Sequence, residues 1–199
     1  MEDEMRRFVA VVVVFCFLAL SQCVNAEVIW TSGLESGDFS DWTSASGNWK
    51  LVNSSSGAHS GSYRVGVEGA SSPNGDVLLL QKSTVDYEDL QWSHWWKVND
   101  ALETDDHVFV EWSANGGADW QVLADYTKLP TSDWQYASFD LPEVADNNAL
   151  CQFRFRAVLG STSDKMSFDD VSLTAVPEPH FLFLFLPMLL CILCRRKTK

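Results

Sequence analysis

From Cys151 to Ala157 every second side chain is apolar. Cys151, Phe153, Phe155 and Ala157 oppose Gln152, Arg154 and Arg156. A strand with one buried and one solvated face requires that period of two, and a helix with 3.6 residues per turn cannot satisfy it. His107–Ser113 repeats the pattern, with Val108, Val110 and Trp112 opposite His107, Phe109 and Glu111. No stretch of ten or more residues between Glu27 and Ala175 has a helical pattern. Short aromatic and β-branched runs recur instead, divided by Gly, Asn, Asp, Ser and Pro, which reads as all-β. Strands are expected at Val28–Thr31, Trp49–Val52, Ser62–Val67, Val77–Lys82, Leu90–Val98, His107–Ser113, Gln121–Asp125, Gln135–Asp140, Gln152–Val158 and Met166–Thr174. Ten strands at this spacing predict two antiparallel sheets packed face to face. Val77-Leu78-Leu79-Leu80 is apolar on both faces and is expected inside a sheet. Asn115-Gly116-Gly117 has the residues of a hairpin turn.

The two ends read differently. Arg6 and Arg7 precede the apolar run Phe8–Leu20, which leads to Val24-Asn25-Ala26. That is the layout of a secretory signal peptide over residues 1–26, with Glu27 as the mature N-terminus. At the other end Phe181–Cys194 is uncharged and is followed by Arg195, Arg196 and Lys197. A basic block beside an apolar run stays on the cytoplasmic side of a membrane, which puts the preceding residues outside. Fourteen residues interrupted by Pro187 make a weak span, suited to a tail that is later removed.

Between the ends, Glu27–Pro179 contains 24 acidic and 8 basic side chains, leaving −16, in a chain whose total is −13. Nucleic acid is excluded as an expected partner, because its binding rests on Lys and Arg at phosphates. Of five cysteines only Cys151 falls in this region, so no internal disulfide is available and the core alone must hold the fold. Cys151 is expected to be a buried, inert thiol.

Val176-Pro177-Glu178-Pro179, followed by the apolar run and the arginine-rich end, resembles the PEP-CTERM sorting signal of bacterial surface proteins. The resemblance covers residues 176–199. It implies recognition by an exosortase-type processing enzyme and a destination at the cell surface or in an exopolysaccharide matrix.

The region 27–175 also carries a resemblance. It opens Gly33-Leu34-Glu35-Ser36-Gly37-Asp38-Phe39-Ser40-Asp41-Trp42 and closes Met166-Ser167-Phe168-Asp169-Asp170-Val171-Ser172-Leu173, with Val110-Glu111-Trp112-Ser113-Ala114-Asn115-Gly116-Gly117-Ala118-Asp119-Trp120 between. This is similar to the jelly-roll β-sandwiches of MAM domains and carbohydrate-binding modules. MAM domains usually carry disulfide cysteines, and here there is only Cys151, so the broader jelly-roll reading is the one that stands. The resemblance implies that the first and last strands lie together and that a structural Ca²⁺ bridges them. Glu35, Asp169 and Asp170 occupy the positions of its ligands, and Ca²⁺ calls for several such oxygens.

Nine tryptophans are many for this length. Most are expected to fill a core that has no disulfide. Trp95, outward on its strand, and the outward Arg154 and Arg156 are the expected glycan-facing patch, since aromatic faces stack on sugar rings and a few polar groups orient them. No H-E-x-x-H, G-x-S-x-G or glycine-rich phosphate loop is present, and His59, His94 and His107 show no metal spacing. The reading is a non-enzymatic, exported glycan-binding or adhesion module. A β-sandwich polysaccharide hydrolase and a purely structural matrix protein are the alternatives.

Overall fold

The structure is a computed structural model that describes residues 25–53 and 57–178. Within it Ala26–Val176 forms one compact unit. Eleven strands make up that unit: β1 (Glu27–Ser32), β2 (Ser44–Ala45), β3 (Trp49–Asn53), β4 (Tyr63–Glu68), β5 (Asp76–Gln81), β6 (Tyr87–Asp100), β7 (His107–Ser113), β8 (Gln121–Tyr126), β9 (Gln135–Asp140), β10 (Gln152–Val158) and β11 (Lys165–Pro177). A 3₁₀ turn at Glu143–Ala145 is the one helical element among the described residues. One sheet has the order β3-β4-β11-β6-β9, with β1 paired to β11, and the other has the order β2-β5-β10-β7-β8. The fold is therefore an all-β, antiparallel two-sheet jelly roll. Three of the expected strands, His107–Ser113, Gln135–Asp140 and Gln152–Val158, have the bounds that alternation indicates. β2 was not expected, because two residues, Ser44 and Ala45, cannot show a period.

The first and last strands do lie together, with Glu27 opposite Ala175 and Ser32 opposite Val171. β11 also pairs with β4 through Lys165–Phe168. Between these two pairings its alternation changes phase. Met166 and Phe168 are buried, and then Val171, Leu173 and Ala175 are buried. The extra residue sits at Asp169-Asp170, where Asp170 takes a φ of 45°. A bulge that inserts one residue changes the face of everything after it. Asp is among the few residues that tolerate this left-handed conformation.

The core is aromatic. Trp42, Trp49, Trp92 and Trp112 are buried, and Trp30 and Trp96 pack against the core from its margin. Trp92 stacks on Phe153 at 5.0 Å between centroids, and Phe155 stacks on Phe168 at 4.2 Å. Aromatic rings bury large areas at low cost in side-chain freedom, which suits a sandwich lacking cross-links. β5 lies between β2 and β10 as its apolar character demands. Cys151 is buried, and burial pushes its thiol pKa up. At the β7–β8 hairpin Gly116 and Gly117 take φ values of 71° and 87°, the conformation that glycine adopts without cost.

β11 continues two residues beyond the boundary expected at Ala175, so Val176 and Pro177 belong to a strand and only Glu178 follows among the described residues. Pro179, the apolar run 181–194, the basic end Arg195, Arg196 and Lys197, and the signal segment up to residue 24 lie outside the described residues. Among the described residues no helix is long and apolar enough to cross a membrane.

Candidate functional site

Alternation sends one set of side chains from each sheet outward, and the sheet order decides which of them meet. On the outer face of the β2-β5-β10-β7-β8 sheet, Arg154 lies opposite Glu111 and Arg156 lies opposite Phe109. The Glu111 side chain is only 4% exposed although it points away from the core. Arg154 donates from Nε to Glu111 Oε2 at 2.6 Å. Arg156 donates from Nε to the same oxygen at 3.0 Å and from Nη2 to Oε1 at 2.8 Å. Burial pulls the Glu111 pKa upward, but the hydrogen bonds from Arg156 and Arg154 outweigh it and hold the carboxyl below the usual range. A β-bulge between Val110 and Glu111 shifts the pairing to β8, and bulges re-aim side chains.

Two rings frame this charge pair of pairs. The Arg154 guanidinium lies 3.7 Å from the centroid of Trp120, and that of Arg156 lies 4.2 Å from the centroid of Phe109. The Phe109 ring in turn stacks on His107, which pairs with Asp125 at 2.9 Å. Planar cations on ring faces are mutually favourable. Arg154 uses only Nε within this network, which leaves its terminal N–H donors free for a partner. The result is a rigid, half-buried row of aromatic faces and directed donors.

Trp95 is elsewhere. It sits on β6, in the other sheet, where it faces Tyr136 of β9. The patch expected to unite Trp95 with Arg154 and Arg156 does not exist as one surface, because β6 and β10 belong to opposite layers. Alternation states which residues point outward and says nothing about which layer they leave. Trp95 also has company of its own. The His59 ring stacks on it at 3.8 Å and 16°, Tyr136 leans on it at 5.4 Å, and Lys97 lies 4.8 Å from the Trp134 centroid.

Glu35, Asp169 and Asp170 do converge on one segment, the turn at residues 59–63. Glu35 accepts N–H bonds from Ser62 and Tyr63. Asp169 accepts from the N–H of His59 at 2.8 Å and of Ser60 at 3.3 Å. Asp170 takes His59 Nδ1 at 2.6 Å and the Ser60 hydroxyl at 2.7 Å. Gly61, with φ of 59°, is required here, since a Cβ would fall on the Glu35 carboxylate. Burial, above all, pushes the Asp169 pKa up to about 6. The oxygens of Glu35, Asp169 and Asp170 do not gather as a trio within 4.8 Å, because each carboxylate is turned onto the N–H and O–H donors of this segment.

Among the described residues one trio of acidic groups brings its oxygens within 4.8 Å of one another: Glu103, Asp106 and Asp164. Asp106 binds the N–H groups of Glu103 and Gly160, and Asp164 that of Ser161. Sequence reading missed this trio, whose Asp164 joins from 58 residues beyond Asp106 in the chain. It likewise missed Trp120, Phe109 and Glu111 as neighbours of the arginines. The outward placement of Phe109 and Glu111 was legible from alternation, and their meeting with the arginines depends on β7 lying beside β10.

The Reelin subrepeat B family model matches residues 76–174 of this chain. No curated protein matches it. Solved structures of similar fold include the xylan-binding CBM22-1 domain of Xyn10C from Paenibacillus barcinonensis, at 12% identity and a TM-score of 0.54, covering 77% of this chain and 97% of that one. TmCBM61, solved with beta-1,4-galactotriose, is 20% identical with a TM-score of 0.51, covering 71% and 92%. The K2 cleaved adhesin domain of Lys-gingipain is also 20% identical, with a TM-score of 0.50, covering 72% and 96%. At these identities the likeness is one of fold, and it joins this chain to the jelly rolls of carbohydrate-binding modules and adhesins.

Proposed function

We propose that the domain is a non-catalytic, extracellular glycan-binding module whose binding face is the outer surface of β7 and β10. The observation that carries this reading is the Trp120–Arg154–Glu111–Arg156–Phe109 row: two aromatic rings, each with a guanidinium over one face, and guanidinium donors for hydroxyls held rigid by a buried carboxylate. Stacking with a few fixed polar groups is how proteins hold sugars. The carbohydrate-binding modules of like fold support the ligand class, and the adhesin domain supports an extracellular setting. Retention of the full-length chain in affinity gels loaded with neutral polysaccharides tests it. Binding to at least one polymer is expected, with a loss of tenfold or more in Trp120→Ala and Arg154→Ala and none in Trp95→Ala. Absence of retention by every polymer would refute the reading.

The same proposal includes export through the segment 1–26, membrane engagement of the C-terminal run, and recognition of Val176, Pro177, Glu178 and Pro179 by an exosortase-type processing enzyme. Mass spectrometry of the mature protein checks it through the two termini, with Glu27 as the expected first residue. A structural Ca²⁺ held by Glu35 and Asp169, with Asp170 beside them, completes the reading. When bound it would pin the β1–β11 pair to the 59–63 turn through carboxylates that already accept N–H bonds from that turn.

A further inference from the structure

The outer face of the other sheet carries a second feature. A groove of about 520 Å³ runs along β3, β4, β11 and the end of β6. Its floor is Gly66, which has no side chain, flanked in register by Lys50 on β3 and Ser167 on β11. Lys50, Arg64 and Lys165 line it, and Glu68 is its one acidic lining residue. In a region with 8 basic and 24 acidic side chains, three of the eight, Lys50, Arg64 and Lys165, therefore line this groove. Of the others, Arg154 and Arg156 are committed to Glu111.

The cations in the groove are under-neutralised. Lys50 and Lys165 share the single carboxylate of Glu68, the latter at 3.3 Å. Arg64 donates from Nε to Ser167 Oγ at 3.2 Å, and Ser167 Oγ donates to Asn99 Oδ1 at 2.6 Å. Its Nη1 is buried with no hydrogen-bond partner. Burial first, then the charge of Arg64, lowers the Lys97 pKa against the opposing pull of Asp133 and Asp169. The Arg64–Ser167–Asn99 chain orients the guanidinium and leaves Nη2 as the donor that can meet a carboxylate. It also leaves the Asn99 amide N–H₂ free to meet a hydroxyl.

We infer that this groove is a second saccharide site, separate from the β7–β10 face, and that it takes an anionic sugar, a uronate whose carboxylate sits between Arg64, Lys50 and Lys165 and whose hydroxyls meet Asn99. The groove has the volume of a small-ligand site. The acidic remainder of the domain repels polyanions, and at physiological salt charges are felt over about 8 Å, so binding is confined to this positive patch. The inference does not depend on the neutral-glycan reading of the other face.

The test uses the full-length chain and two forms of one polymer, polygalacturonate and its methyl ester, which share a backbone and differ in the carboxylate charge. Calorimetry or affinity gels should show binding to the acid form, at least tenfold weaker binding to the ester, and weakening with added salt. Arg64→Gln should reduce affinity for the acid form tenfold or more, while Arg154→Ala leaves it unchanged. Should Arg64→Gln fail to fold, the exposed pair Lys50→Gln and Lys165→Gln should still lower affinity severalfold. Equal binding of acid and ester, loss of binding in Arg154→Ala but not in Arg64→Gln, or full competition by polyglutamate would each overturn the inference. Absence of neutral-glycan retention with intact polygalacturonate binding would sink the β7–β10 reading and leave this one standing.

Discussion

The indole N–H of Trp92 donates to Nδ1 of His94 at 3.2 Å, and this bond settles the tautomer of a fully buried imidazole: the hydrogen is on Nε2, which faces the Tyr126 hydroxyl at 2.9 Å. His94 sits on the inward side of β6 among Phe139, Phe155 and Phe168. It completes a polar chain inside an aromatic core, and such groups are tolerated there only when hydrogen-bonded.

The first prediction follows from that burial. Desolvation lowers the His94 pKa from 6.5 to about 3. The unfolded chain therefore binds one more proton than the fold between these values. The stability owed to neutral His94 is complete above pH 6.5 and declines as pH falls toward 3, by about 1.4 kcal/mol per pH unit. Asp169, raised from 3.8 to about 6, works in the opposite sense over that part of the range. The comparison of wild type with His94→Gln isolates the imidazole: urea titrations at pH 7 and pH 5 should show the wild type losing more stability than the variant. Equal losses in both would contradict a buried, neutral His94.

Phe155 packs against Trp42, Trp49, Trp92, His94 and Phe168, drawing on both sheets. Truncating it to Ala removes a ring from the centre of a disulfide-free core and should cost about 3–5 kcal/mol. Phe109, on the outer face of the neighbouring strand, should lose far less on the same change. Denaturant midpoints compare the two, and similar losses would show that the core is not centred where the rings meet.

Glu111→Gln separates structure from binding on the proposed glycan face. The amide keeps the shape of the side chain but withdraws the charge that both arginines share. Each hydrogen bond to a charged group contributes about 1.5–3 kcal/mol, and Arg154 and Arg156 retain some access to water, so a net loss of roughly 2 kcal/mol is expected. Polysaccharide retention should fall as the guanidiniums lose their fixed orientation. Unchanged stability together with unchanged retention would mean that the network organises nothing.

Removing divalent cations tests the union of the chain ends. If Ca²⁺ joins Glu35 and Asp169, EDTA should lower the melting temperature of the wild type by several degrees and leave Asp169→Asn unmoved, because a ligand that binds only the folded state stabilises it by mass action. A wild-type melting temperature that ignores EDTA would show that the N–H groups of residues 59–63 suffice.

The strand content was legible because alternation is a local property: Gln152–Val158 states by itself which residues face the core, as do His107–Ser113 and the apolar β5. The convergence of Glu35 with Asp169 and Asp170 was legible only through resemblance, and the phase change at Asp170 that aims both aspartates at one turn was not. Trp95 shows the limit most plainly. Its outward direction was correct, yet its assignment to one patch with Arg154 and Arg156 failed because direction within a strand carries no information about the layer that the strand joins.

By itself, then, the sequence determined the all-β class, the inward and outward sets of each strand, the reliance on an aromatic core and the acidity of the surface, since each depends on residues near one another in the chain. Tertiary structure alone decided that Glu111 is clasped by two arginines, that His59 covers Trp95, and that three of the eight cations of an acidic domain line one groove over Gly66. Each of these arises from strands brought side by side across tens of residues, where pairing order, rather than local pattern, sets the neighbours.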